Sequence, residues 1–206
     1  MAKVKAPLFG LGASGALGKS LVYFPWKGLN CCREFVVPTN PRSAPQLTQR
    51  GYVSDAVEDI HAAMGHPTLP LNETDKTAYA AWASVIKASM TWFNMAVKNW
   101  VDVTIAGDTP AVYRDGTITP GANQIAIALR SDEFDGATIT AGKFYYGTSK
   151  TSLVNTEVAV IVPGVFQASA TIAGLTTGQK YYIQFRPDAG EDAEGAYSGI
   201  YHGTPT

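Results

Sequence analysis

The sequence predicts an α+β chain in several segments: an extended N-terminal arm with a β-hairpin, a helical hairpin, and a C-terminal all-β sandwich. Three observations carry this. Residues 1–42 are rich in Gly, Pro and aromatics and show no helical period. Residues 43–103 repeat apolar positions every three or four residues. After residue 108, short alternating runs are separated by Gly, Asp and Ser, and all four Trp lie at or before Trp100. The expected domains are therefore 1–107, an anchoring and assembly region made of the arm (1–42) and the helical hairpin (43–103), and 108–206, the sandwich.

In the arm, Leu21-Val-Tyr-Phe24 and Cys31-Cys-Arg-Glu-Phe-Val-Val37 are rich in β-branched and aromatic residues and flank Pro25–Asn30, which predicts a hairpin. Pro25 cannot donate to a ladder, so it belongs at an edge or a strand end. Ser43-Ala-Pro-Gln46 fits a capping box, and Val53, Val57, Ile60 and Met64 form an apolar stripe up to Gly65-His-Pro67. A second start lies near Asn72-Glu-Thr-Asp75. Trp82, Ile86, Ser89, Phe93, Val97 and Trp100 then recur at helical spacing, which predicts one long second helix.

Six strands are expected in the last segment: Gln124–Leu129, Gly142–Tyr146, Val158–Val162, Phe166–Ile172, Tyr181–Phe185 and Tyr197–Tyr201. Leu175 stands six residues ahead of Tyr181, which opens an alternating run. That spacing suits a tyrosine corner, in which the phenol bonds back to the preceding turn. The stretch of about 95 residues resembles a fibronectin type III domain, an immunoglobulin-like fold, with Tyr197–Thr204 as its last strand. It departs from that family in having no Trp at the early-strand core position.

The formal net charge is −1, but it is divided. Residues 1–50 carry seven bases (Lys3, Lys5, Lys19, Lys27, Arg33, Arg42, Arg50) against Glu34, so they sum to +6; residues 51–105 sum to −3 and the remainder to −4. The bases alternate with Tyr23, Phe24 and Trp26, and this set is the candidate assembly surface; seven bases in fifty residues make too thin a stripe for nucleic acid. Asp132, Glu133 and Asp135 in one loop, with Asp188, Glu191, Asp192 and Glu194 in another, are expected to share one pole of the sandwich. Asp132, Asp135, Asp188 and Asp192 are weak candidate calcium ligands, because their spacing matches no standard loop.

Enzymatic chemistry is not expected. Gly10-Leu-Gly-Ala-Ser-Gly15 matches GxGxxG, and Ala13–Ser20 a relaxed phosphate loop, but a strand and Pro25 follow where a helix N-terminus is needed. His61 and His66 straddle a helix end, and His202 stands alone. Adjacent Cys31 and Cys32 face opposite ways in a strand and do not suit a bridge. The Met1–Lys5 start lacks the apolar run of a signal peptide, and no stretch reaches the roughly 18 apolar residues of a membrane span. The expectation is synthesis in a host cytoplasm, with no cofactor.

Gly15-x-x-Gly18-Lys-x-Leu-Val-Tyr-Phe-Pro-Trp26-Lys-Gly28 and Arg33-Glu-Phe-Val-Val-Pro-x-Asn-Pro-Arg42-Ser-x-x-Gln46-x-x-Gln49-Arg50 precede Asp75-Lys-Thr-Ala-Tyr-x-x-Trp82 and Thr91-Trp-Phe-Asn94. Over about residues 8–102 this block resembles a poorly characterised family of bacteriophage and prophage virion-associated proteins, from which it departs at Cys31-Cys32. The resemblance implies a non-enzymatic virion protein, a capsid decoration or cement protein first, a tail or head–tail accessory protein next. Its expected partners are other virion proteins and further copies of itself. The alternative is an adhesion module that holds carbohydrate weakly through Tyr145, Tyr146 and Tyr201.

Overall fold

In the computed structural model, the residues described are 2–3, 14–37, 39–40, 42–86 and 89–206. Among them are three helices and three four-stranded antiparallel sheets, an α+β fold. The chain divides into two compact units, Met1–Ser43 and Ala44–Thr206.

The first unit is a sheet with strand order β1-β4-β3-β2, formed by β1 (Ala2–Lys3), β2 (Gly15–Leu17), β3 (Leu21–Trp26) and β4 (Leu29–Glu34). The expected hairpin is there, but its loop is only Lys27-Gly28. Both residues have positive φ (48° and 76°), the conformation whose twist matches two flanking strands. That tight turn recruits Pro25 and Trp26 into β3, and Pro25 lies beyond the last pair with β2 at Tyr23. Gly18-Lys19-Ser20 is a second hairpin turn, not a phosphate loop. The other part of the glycine motif, Gly10–Ala13, lies outside the described residues.

In the second unit, α1 (Ala44–Met64) starts straight after Ser43, as its capping signal predicts. Its buried face is Ala56, Ile60 and Ala63; of the expected stripe Ile60 is buried, Val57 half-buried, and Val53 and Met64 are exposed. Small residues turn inward because Trp100 packs against Ala56, and its Nε1 donates to Asp59 Oδ2 at 2.9 Å. The expected second helix is two, α2 (Glu73–Ile86) and α3 (Trp92–Ala106). Thr91 caps α3 by accepting from Asn94 N at 3.2 Å, and Gly107 (φ 98°) closes it. The helical stripe therefore restarts at a cap rather than running through.

Eight strands follow: β5 (Arg114–Gly121), β6 (Gln124–Arg130), β7 (Gly142–Gly147), β8 (Asn155–Val158), β9 (Val160–Val162), β10 (Gln167–Ala173), β11 (Tyr181–Pro187) and β12 (Tyr201–Gly203). They form two sheets, ordered β5-β6-β10-β9 and β12-β11-β7-β8. Inward side chains of both (Ile127, Leu129, Ala168 and Ile172 from one, Phe144, Ile183 and Phe185 from the other) meet in one core. Tyr181 Oη accepts from Thr176 N at 3.2 Å, which is the expected corner contact.

Three strand expectations change. β5 is additional; its polar, Gly- and Pro-broken sequence hides it. The single run Val158–Val162 is two strands, one in each sheet, because the chain crosses at Ala159, whose N–H reaches Gly142 O at 3.0 Å. The last strand begins only at Tyr201, since the backbone before it turns to α2: Ile200 N donates to Ala78 O at 2.9 Å. Gly199 allows that approach, because a Cβ there would lie 2.7 Å from the backbone at Ala78 and Tyr79.

The helices thus belong with the sheets, so the expected boundary at 107/108 falls inside one packed unit. Asp75, fully buried, joins them. Its Oδ2 accepts from Asn72 N (2.8 Å) while Asn72 Oδ1 accepts from Asp75 N (3.0 Å), a reciprocal cap on α2. Its Oδ1 accepts from Gly116 N (2.9 Å) at the bulge in β5 and from Tyr201 Oη (2.6 Å) on β12. Burial dominates and raises the Asp75 carboxyl above its ordinary value, while those three donors pull it down. A carboxyl raised in the folded state contributes stability below its unfolded pKa near 3.8, lost as pH rises through its folded value. Asp75→Ala strands three donors and is expected to cost about 3 kcal/mol in urea unfolding. Asp75→Asn keeps an acceptor and removes the charge, so the fall in stability with rising pH above 4 is expected to flatten.

Candidate assembly surface and a polar cleft

The assembly candidates divide between the units. Lys19, Tyr23, Phe24, Trp26, Lys27, Arg33 and Arg42 lie in the first unit, whereas Arg50 is exposed on α1 in the second. Lys19 and Lys27 occupy the two hairpin turns, so both ammonium groups sit at turn positions, off the strands themselves. Arg33 lies over the Phe24 ring at 5.7 Å from its centroid.

Strand register assigns the arm's side chains to faces, because neighbours in a strand point opposite ways. Val22, Phe24, Trp26, Leu29 and Cys31 share one face with Arg33; Leu17, Leu21, Tyr23, Pro25 and Cys32 share the other with Asn30 and Glu34. Apolar side chains therefore dominate both faces, with the charged ones near the strand ends, the pattern of a sheet that gains from cover on both sides. Yet Cys31 is the only buried side chain from Ser14 to Val37; Trp26 is 57% exposed, and Leu17, Leu21 and Leu29 are exposed as well. Alternation signalled strands in the sequence, but two-sided apolarity emerges only once the register is known.

The expected acidic pole forms only in part. Its two loops do meet: Thr140 N and Oγ1 donate to Glu191 at 2.6 and 2.8 Å, and Lys143 pairs with Asp188 at 3.0 Å. But Asp135 accepts from Ala137 N and Thr138 N within its own loop, and Asp132 is held by Arg114. Among the described residues no three acidic, His or Cys side chains gather around a metal-sized space, so Asp132, Asp135, Asp188 and Asp192 are not brought together as ligands. Of the candidate tyrosines, Tyr201 is buried and donates to Asp75, and Tyr146 is half-buried against the core; half-buried Tyr145 stacks on Arg186 at 4.5 Å, with Tyr197 on the same guanidinium at 5.0 Å.

The sequence did not signal a cleft of about 180 Å³ where the C-terminal turn of α1 meets β5 and the loop after β6. Asp59, His66, Arg114, Asp132 and Glu133 line it, separated by 74 positions along the chain from first to last, so no local pattern could have joined them. Arg114, its side chain 5% exposed, makes a two-pronged pair with Asp132 (Nη1–Oδ2 2.8 Å, Nη2–Oδ1 2.6 Å). The guanidinium holds the Asp132 carboxyl below its ordinary value. Burial raises that of Glu133, which accepts from Ser131 Oγ. His66 Nδ1 accepts from Leu69 N at 3.0 Å, which places the proton of a neutral ring on Nε2.

The chain matches no known protein family, no curated protein and no solved structure.

Removing Asp132 takes from the buried guanidinium the carboxylate that accepts from both its Nη groups. Asp132→Ala is expected to lower unfolding free energy by about 2 kcal/mol, less than for a fully buried pair because Asp132 faces solvent. The wild-type contribution fades as pH falls below the ordinary Asp value near 3.8, and the variant loses that acid dependence. Urea unfolding at pH 7 and pH 3 checks both.

Proposed function

We propose that this chain is a non-enzymatic bacteriophage structural protein, a capsid decoration or cement protein held in the particle by its arm and displaying an immunoglobulin-like domain. The observation that carries the reading is the arm sheet, with apolar side chains on both faces and Cys31 alone buried from Ser14 to Val37. A four-stranded sheet of this size has little stability unless a face is covered. An uncovered patch of Leu, Trp and Val marks a surface that gains by contact with a neighbour. The basic arm suits acidic partner surfaces, including the −4 remainder of another copy.

The displayed part is read as a fibronectin type III-like sandwich. Strand order supports this: β5-β6-β10-β9 and β12-β11-β7-β8 follow the A-B-E-D and G-F-C-C′ order of immunoglobulin-like sandwiches, with Tyr181 in the corner. The proposed role separates the two units, one for holding and one for display.

The test is truncation. Residues 44–206 carry their own core, so a chain lacking 1–42 is expected to keep its circular dichroism and unfolding transition. It is also expected to remain monomeric in light scattering and to lose co-sedimentation with particles. Full-length protein with Trp26→Asp is expected to weaken both self-association and particle binding. Unchanged assembly of the truncated chain would overturn the reading.

A further inference from the structure

Within the larger unit, α2, the C-terminal half of α3 and the loop between β11 and β12 border a groove of about 420 Å³, a volume in the range of small-ligand sites. Trp82, Asn99, Asp102, Asp108, Glu194 and Tyr197 line it. Its aromatic side is braced. The rings of Trp82 and Tyr197 lie 6.3 Å apart at 39°, and Tyr197 rests on the Arg186 guanidinium at 5.0 Å. Gln184 Oε1 holds that guanidinium in turn, accepting from Nε at 3.1 Å and from Nη2 at 2.9 Å. Rings fixed before binding lose little freedom when a ligand arrives.

Asn99, 8% exposed, donates through Nδ2 to Tyr197 O at 3.3 Å, and its Oδ1 accepts from no described residue. Among the described residues, the one sealed side-chain polar atom without a partner is Arg114 Nε. Asn99 Oδ1 is therefore open to solvent, through the groove that Asn99 lines. Of the carboxylates, Asp102 pairs with Lys98 and Glu194 accepts from Gly190 N, whereas half-buried Asp108 takes no side-chain bond from a described residue. The groove thus offers two open acceptors and two aromatic rings, so an occupant must bring hydrogen-bond donors and an apolar face. With Lys98 on Asp102 and Arg186 against Tyr197, charge alone does not select it.

We propose that this groove binds a neutral hexopyranose unit. The C–H face of the sugar packs on Trp82 and Tyr197, and its hydroxyls donate to Asn99 Oδ1 and to the Asp108 carboxylate.

The test titrates the full-length protein with the methyl glycosides of glucose, galactose and mannose, and separately with glucuronate and spermidine, following backbone and side-chain shifts by NMR. At least one glycoside is expected to give saturable shifts that include the Trp82 indole and the Asn99 amide. Glucuronate is expected to bind about tenfold more weakly, repelled by Asp108, and spermidine no more tightly than the glycoside. Asp108→Ala removes one acceptor from a partly exposed position; it is expected to weaken the glycoside about tenfold and leave the thermal unfolding midpoint unchanged. No saturable shift with any of the three glycosides, shifts that leave out Trp82 and Asn99, tighter binding of spermidine, or indifference to Asp108→Ala would each overturn the proposal. The arm enters none of these readouts, so the result is independent of the truncation test.

Discussion

One buried carboxylate organises the larger unit. Asp75 completes the cap that starts α2, holds the bulged backbone of β5 at Gly116 and receives the phenol of Tyr201 on β12. Burying an ion is expensive unless its lone pairs are occupied. Three donors from three elements meet that demand, and no element can shift without stranding one of them. The close approach of Gly199 to α2 and the hydrogen bond from Ile200 to Ala78 lie on the same helix face. The helices are thereby committed to the sheets, and a boundary between them has no physical basis.

The two units stand in contrast. In Ala44–Thr206, aromatic rings interlock (Tyr113, Phe134, Phe144 and Phe185 with centroids 5.3–5.8 Å apart), and buried polar groups find partners, with Arg114 Nε the exception among the described residues. From Ser14 to Val37, in the first unit, Leu17, Leu21, Trp26 and Leu29 remain in contact with water. The hydrophobic effect scales with area removed from water. The same residue types are therefore satisfied in one unit and unsatisfied in the other, and this difference underlies the division of labour proposed for them.

Local signals in the sequence were legible where they act locally. The Asn72–Asp75 cap, Gly65 and Tyr181 each announced an element through a bond within a few residues of itself. Long-range commitments were not. Nothing local says that Val158–Val162 divides between two sheets, because both halves are Val-rich and the change of sheet lies in the pairing of Ala159 with Gly142. Helical periodicity ran from Trp82 to Trp100 without marking the break, because apolar spacing reports side chains and not the cap at Thr91, where the backbone starts a new helix. Asp75 was readable as a cap residue, but its second and third donors lie 41 and 126 positions away. The cleft was invisible for the same reason.

The adjacent cysteines give the arm a property of their own. Both are free, and the register places Cys31 with Phe24 and Trp26 and Cys32 with Tyr23 and Pro25, on opposite sides of the sheet. The two thiols differ in access, Cys31 buried and Cys32 half-buried. The alkylation rate at Cys32, read by mass spectrometry with and without particles, reports whether a neighbour shields the Tyr23 side, while buried Cys31 serves as an internal reference that reacts only when the sheet opens.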